Sequence, residues 1–149
     1  MKITLAKALK LKNKSVEDYH LAINEVLSNN SRDVDETKDV DAKEKYEEVK
    51  ASLSNLVEFK TKIHEASAPI RGLIFELSEV KNLLVRLRTL NTKSGVVKEP
   101  QYGSGLIVRT FEASISESEK KAEMTRLENE IVRFQDVIDE FNSVTTIEI

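Results

Sequence analysis

The chain has 149 residues, a formal net charge of −3 and no cysteine. The length is that of one domain, and the lack of cysteine excludes disulfide bonds, thiolate catalysis and cysteine-based zinc sites. With 33% charged residues, four glycines and two prolines, the composition favours long amphipathic helices over a sheet-rich fold. The lack of cysteine also fits a reducing compartment, and we expect a cytoplasmic protein without a signal peptide.

Four segments repeat apolar residues at alternating steps of three and four, which is the spacing of a helix with one buried stripe. We therefore predict four helices, over residues about 4–27, 40–65, 70–91 and 115–142. The third carries the most leucine, with a stripe at Ile70, Leu73, Leu77, Val80, Leu84 and Leu87. The stripe of the last helix is Met124, Leu127, Ile131, Phe134, Ile138 and Phe141.

Polar residues that cap helices stand near three of the predicted starts. Thr4 is a candidate N-cap for the first helix, and the second opens near Asp39 or Asp41. Ser114 followed by Glu117 fits the capping box, in which a serine and a glutamate three residues later satisfy each other's backbone N–H groups. The last helix is therefore expected to start near Ser114 or Ser116.

Residues 92–105 interrupt the helical pattern, since they hold three of the four glycines and one of the two prolines. The segments on either side have the composition of strands, so we predict a hairpin-like element over 96–111 with its turn near Pro100 to Gly105. A two-stranded hairpin is marginal in water and must lean on the helices or pair with another chain. The β-branched ending, residues 143–149, is a candidate for a short terminal strand.

The alternating three- and four-residue spacing of the apolar residues predicts an all-α fold. Its architecture is expected to be an antiparallel, coiled-coil-like bundle of long helices, with a short β-hairpin before the last helix. We expect a single helical domain over 1–149. Helices of about 35 Å make an elongated bundle with a high surface-to-volume ratio. Association into a homo-oligomer would cover that surface, so we expect one.

No pattern of catalytic or metal-binding residues stands out. His20 and His64, the only histidines, lie off the apolar stripes and far apart in the sequence. The chain contains no HExxH, and Glu-x-x-His occurs once, at Glu17 to His20, whereas a di-metal site in a helical bundle needs two such motifs. We predict no catalytic residue, no metal site and no cofactor, and hence a protein that is not an enzyme.

The glycine-rich piece at Gly103 to Gly105 lacks the GK[ST] ending of a phosphate loop, which favours a simple hairpin turn. The alternative is a loop that faces a ligand, because loops often carry function. A small anionic ligand, such as a nucleotide held between subunits, would then contact nearby cationic and aromatic side chains. The candidates are Arg86, Arg88, Lys98, Tyr102 and Arg109.

Two other partner classes are not expected. The first 14 residues carry five lysines and no acid, which could suit nucleic acid, but no aromatic residues alternate with them to stack on bases. The first helix could lie on a membrane surface, but its apolar face lacks tryptophan and phenylalanine. No stretch approaches the roughly 20 apolar residues of a membrane span.

The order of features resembles a family of short helical bacterial and phage proteins described as septicolysin-like. The resemblance begins at Leu5-Ala6-Lys7-Ala8-Leu9, continues through Lys62-Ile63-His64 and a leucine-rich third helix, and includes the stretch from Tyr102 to Phe111. It ends on Phe141-Asn142 and Thr145-Thr146. The resemblance implies an antiparallel helical protein that associates with itself.

The sequence predicts a non-enzymatic oligomeric protein with a binding or structural role. Two alternatives stay open at this point. One is a protein that sequesters a small anionic ligand between subunits near residues 92–111. The other is a membrane-active, toxin-like protein, which the family's description suggests although no residue of this sequence supports pore formation.

Overall fold

The computed structural model describes residues 1–35, 37, 40–103 and 105–149. The chain is predominantly helical, as predicted, and its strands form two small antiparallel sheets that are a minor part of it. In chain order the elements are β1 (Lys2–Thr4), α1 (Leu5–Asn29), α2 (Ala42–Ala66), a 3-10 turn (Ala68–Ile70), α3 (Arg71–Arg88), β2 (Gly95–Pro100), β3 (Leu106–Phe111), α4 (Glu117–Val144) and β4 (Thr146–Glu148). The predicted helix start at Asp39 and the turn residue Ser104 lie outside the described residues.

Contacts divide the chain into two compact units. The first comprises Met1–Arg71 with Ile138–Ile149, and the second comprises Gly72–Val137. The expectation of a single domain over 1–149 stays a prediction.

In the first unit, α1 and α2 pack against each other in antiparallel directions. The start of α1 meets the end of α2 in one apolar cluster, while Glu25 near the end of α1 pairs with Lys45 near the start of α2 at 3.4 Å. The N-caps at Thr4 and Asp41 are confirmed, because each side chain accepts hydrogen bonds from backbone N–H groups of the first turn. The buried residues of the cluster are Ile3, Leu5, Ala8, Ile63 and Ile147.

A two-stranded sheet joins the two ends of the chain. β1 pairs with β4, and Ile3 lies opposite Ile147 with both side chains buried. The Leu5 N–H donates to the Thr145 carbonyl at 2.7 Å, so the ladder continues into the first residue of α1. The terminal strand β4 was predicted. No strand was predicted at β1, which precedes the first helix, and its pairing with β4 was not predicted either.

In the second unit, α3 and α4 bury the stripes that the sequence predicts. Leu77 and Leu84 are buried on α3, and Leu127 and Phe134 on α4. The Lys120 ammonium group donates to the carbonyl of Arg88, the last residue of α3, at 3.0 Å and to that of Leu90, just beyond the helix, at 2.9 Å. These bonds satisfy acceptors that a helix end otherwise leaves open.

Five predicted helix boundaries differ from the observed ones by two or three residues, and three of them are informative. α3 ends at Arg88 rather than 91, because the last turn tightens into bonds between residues three apart, from Leu90 N–H to the Leu87 carbonyl. α1 ends two residues later than predicted, at Asn29. α4 starts at Glu117, which agrees with the predicted alternative of a start near Ser116, but its capping box is not the predicted pair of Ser114 and Glu117.

The capping box of α4 is formed by Ser116 and Glu119. The Ser116 N–H donates to the Glu119 carboxylate at 2.8 Å, and the Glu119 N–H donates to the Ser116 hydroxyl at 3.2 Å. The predicted partner of Ser114, Glu117, instead accepts a hydrogen bond from the Thr92 hydroxyl. Both serine–glutamate pairs have the spacing of a capping box. Because Glu117 accepts a hydrogen bond from Thr92, Glu119 is the glutamate that closes the box.

This box predicts a pH dependence of stability. The backbone hydrogen bond from Ser116 lowers the pKa of Glu119 below its ordinary value of 4.5. A carboxyl group whose pKa is lower in the folded than in the unfolded state stabilises the fold above its unfolded pKa, and that contribution is lost as the pH falls through the folded pKa. Urea denaturation between about pH 6 and pH 3 should therefore show a smaller loss of stability for Glu119→Gln than for the wild type. Glu112→Gln, which removes an exposed carboxylate outside the box, is the matched control, and an equal effect of both variants would contradict the assignment.

Candidate functional site

One face of the hairpin of β2 and β3 is partly buried, and the other is exposed. The strands pair antiparallel, with Lys98 opposite Val108 and Val97 opposite Arg109. Because side chains alternate between the faces of a strand, the pairs at 96–110, 98–108 and 100–106 lie on one face. All six residues of that face are exposed. We call it the open face.

The open face is mostly apolar. Val96 and Leu106 each retain 65% of their accessible surface and Val108 retains 57%. On the opposite face, Val97, Ile107 and others are half-buried. Exposed apolar side chains that adjoin one another mark interaction sites more often than scattered ones do. The open face is therefore the strongest candidate for a contact surface in the second unit.

The backbone of the hairpin distinguishes its two free edges. The Gln101 N–H donates to the Gly105 carbonyl at 3.0 Å and closes the turn. Hydrogen-bonded and non-hydrogen-bonded pairs alternate along an antiparallel ladder, so the pairs of the open face turn their N–H and C=O groups outward. On the β3 edge Leu106, Val108 and Thr110 all offer an N–H group. On the β2 edge Pro100 has none.

The charged side chains on the hairpin and just before it largely neutralise one another. Glu99 forms an ion pair with Lys93 at 3.2 Å, and its carboxylate lies 4.0 Å from the guanidinium group of Arg109. The Lys93 ammonium also lies 4.2 Å from the centre of the Phe111 ring. These are partly exposed contacts, so each contributes little stability. They nevertheless reduce the positive charge that an anionic ligand would meet.

Three of the predicted ligand-binding residues lie on the hairpin but do not converge. Lys98 points from the open face and Arg109 from the opposite one, since they occupy positions of different parity in the paired register. Lys98 forms no ion pair with any described residue, whereas Arg109 approaches Glu99. Tyr102 lies in the turn and is fully exposed.

The other two predicted residues lie at the end of α3 and have separate surroundings. Arg88 approaches Glu128 of α4 at 3.8 Å. Arg86 lines a shallow surface groove together with Glu79 and Asn82 on its own helix. The five predicted residues thus belong to the same unit without forming one cluster among the described contacts.

Apart from Lys98, the residues of the open face were not predicted from the sequence to form a site. The available signal was the two-residue spacing of Leu106 and Val108, which puts both apolar side chains on the same face of a strand. The hairpin was predicted, but the composition of its two faces requires the register, and the turn length that sets the register was left open.

The first unit contains an open groove of about 560 Å³ between α1 and α2. Its floor is apolar and includes Leu56, Phe59 and Ile149. Its rim carries Asp18, which forms no ion pair with a described residue, and Glu58, which pairs with Lys62 at 2.9 Å. The rim therefore carries more negative than positive charge, which does not suit the predicted anionic ligand.

Among the described residues, no group of three histidine, aspartate or glutamate side chains is placed to hold a metal ion. In the same part of the chain, no helix combines the length and apolar character needed to cross a bilayer. Comparisons with family models, with curated proteins and with solved structures found no match. The septicolysin-like resemblance therefore stays a prediction.

Proposed function

We propose that this chain is a non-enzymatic protein that acts as a homo-oligomer, with its long helices in an antiparallel bundle and a binding or structural role exerted through the oligomer surface. One observation carries the proposal: large apolar side chains remain exposed on the helices as well as on the hairpin. On α1 and α3 they include Leu21, Leu27, Phe75 and Val85. Exposed apolar side chains that adjoin one another, as on the open face, are stabilised by contact with another protein surface.

The way the chain is held together supports the same reading. The ion pairs of the described residues join partly exposed side chains, and several connect residues three or four apart on one helix, such as Lys62 with Glu58 and Arg126 with Glu123. Such pairs contribute little to stability, because solvent screens their charges. Stability therefore depends on apolar burial, and further burial between copies is the largest gain still open to the chain.

The sequestration of a small anionic ligand near residues 92–111 remains an alternative. Lys98 is its best support, because this side chain is exposed and has no ion pair among the described residues. The membrane-active alternative rests only on the resemblance. A ligand that binds the native state raises its melting temperature, so a thermal shift with anionic metabolites that Lys98→Ala removes would favour sequestration.

Light scattering over a concentration series tests the proposal. Each chain has a mass of 16.9 kDa. We expect a defined multiple of this mass at micromolar concentration, because the exposed apolar residues are covered by other copies. A mass of one chain at every concentration would refute the proposal.

A further inference from the structure

We propose that the outer edge of β3 pairs with the same edge of a second copy, so that two hairpins join into one four-stranded antiparallel sheet around a two-fold axis at Val108. This inference rests on the proposed function and names one interface of the oligomer. Its first support is the unpaired backbone. Leu106, Val108 and Thr110 point N–H and C=O groups away from β2, and no hydrogen bond of the described residues engages them.

The two edges of the hairpin differ in how they are protected. Proteins block free strand edges with proline and with lysine, which disfavour pairing with another chain. The β2 edge has both, at Pro100 and Lys98. The β3 edge has neither, and its open-face residues are Leu106, Val108 and Thr110. The unguarded edge is the one suited to pairing.

The side chains of β3 fit a second copy in the register centred on Val108. Leu106 then lies opposite the partner's Thr110, and Val108 lies opposite the partner's Val108. On the other face Arg109 lies opposite the partner's Ile107, so no like charges meet across the new ladder. A register centred on Arg109 would place two guanidinium groups opposite each other, which disfavours it.

The positions of the remaining charges agree with this register. Lys98 lies opposite Val108 in its own hairpin, so the two copies of Lys98 are separated by both central strands. Three strand spacings put them about 14 Å apart. That distance exceeds the Debye length of about 8 Å at physiological salt, so their repulsion is largely screened.

Self-pairing also resolves the weakness of the hairpin. Two strands with an exposed apolar face are marginal in water, and three or more strands with such a face are needed for independent stability. The paired sheet has four strands and brings Val96, Leu106 and Val108 of both copies onto one continuous apolar face. Because the axis is two-fold, the oligomer contains an even number of chains.

Two proline variants form a matched test. Val108→Pro and Lys98→Pro each remove an outward-pointing N–H group, at positions directly opposite each other, and neither removes a hydrogen bond within the hairpin. We expect Val108→Pro to raise the dissociation constant about tenfold or more and to halve the mass measured by light scattering. Lys98→Pro should keep the wild-type mass.

A third variant keeps the backbone unchanged and excludes an effect of proline on folding. In Val108→Glu the new carboxylate lies opposite Lys98 of its own hairpin, which favours the hairpin, but faces an identical carboxylate across the two-fold axis. We expect it to halve the mass as well. An oligomer that keeps its mass in both Val108 variants, or loses it equally in Lys98→Pro, would overturn this interface and leave the proposed function intact. A monomeric wild type would overturn both.

Discussion

Replacing Leu5 by alanine is expected to lower the free energy of unfolding by about 3 to 5 kcal/mol. Leu5 is the first residue of α1 and is 0% exposed, in contact with the cluster that joins both ends of the chain to the end of α2. A truncation there removes apolar contacts and leaves a cavity that a closely packed cluster refills poorly. The loss is a large fraction of the stability of an ordinary domain.

Urea denaturation followed by circular dichroism measures this loss. Leu21→Ala is the matched control, since Leu21 lies on the same helix and is 64% exposed. The control should change the free energy of unfolding by no more than about 0.5 kcal/mol. Equal effects of the two substitutions would show that the start of α1 is not packed as described.

The second large effect is expected at the end of the chain. Ile147→Asp should destabilise the fold by at least about 4 kcal/mol, because it removes a buried apolar side chain and puts a carboxylate in its place opposite Ile3. A variant that fails to fold would agree with this expectation. The melting temperature and the urea midpoint both report it.

The adjacent residue supplies the control. Thr146 precedes Ile147 on β4 and is exposed, since neighbouring residues of a strand point to opposite faces. Thr146→Asp introduces the same charge one position away and should leave the melting temperature nearly unchanged. A comparable loss at Thr146 would contradict the register of β1 with β4.

The helices were predictable because their burial follows a short period. Leu77 and Leu84 on α3 and Leu127 and Phe134 on α4 were each assigned to a buried stripe, and each is buried. A helix face is fixed by residues within a few positions of one another, so the sequence pattern is sufficient to predict it. The N-caps at Thr4 and Asp41 are local for the same reason.

The elements that were missed depend on distant parts of the chain. β1 consists of three residues and is defined by its pairing with β4 at the other end of the sequence. At the end of α3, the carbonyls of Arg88 and Leu90 accept hydrogen bonds from Lys120, which is 32 and 30 residues away in the sequence. At the start of α4, Thr92 donates to Glu117, which leaves Ser116 and Glu119 rather than Ser114 and Glu117 as the capping pair. Patterns read along the sequence do not contain these contacts.

The candidate site was predictable only as a hairpin. Its existence follows from the glycines and Pro100 between two segments of strand composition, and the strands occupy 95–100 and 106–111 where 96–111 was predicted. Which residues form the open face, and which edge turns its N–H groups outward, depends on the register and on the hydrogen bond that closes the turn. The pairing of Arg109 with Glu99 likewise requires the register.

Amide hydrogen exchange at two protein concentrations is the sharpest test of our proposal that another copy of this chain covers its exposed apolar surface. At the higher concentration we expect the amides of Leu106, Val108 and Thr110 to become protected, while those of Val96 and Lys98 exchange at the same rate as in dilute solution. Exchange of the β3 amides that is equally fast at both concentrations, in a sample whose mass shows one chain, would contradict the claim.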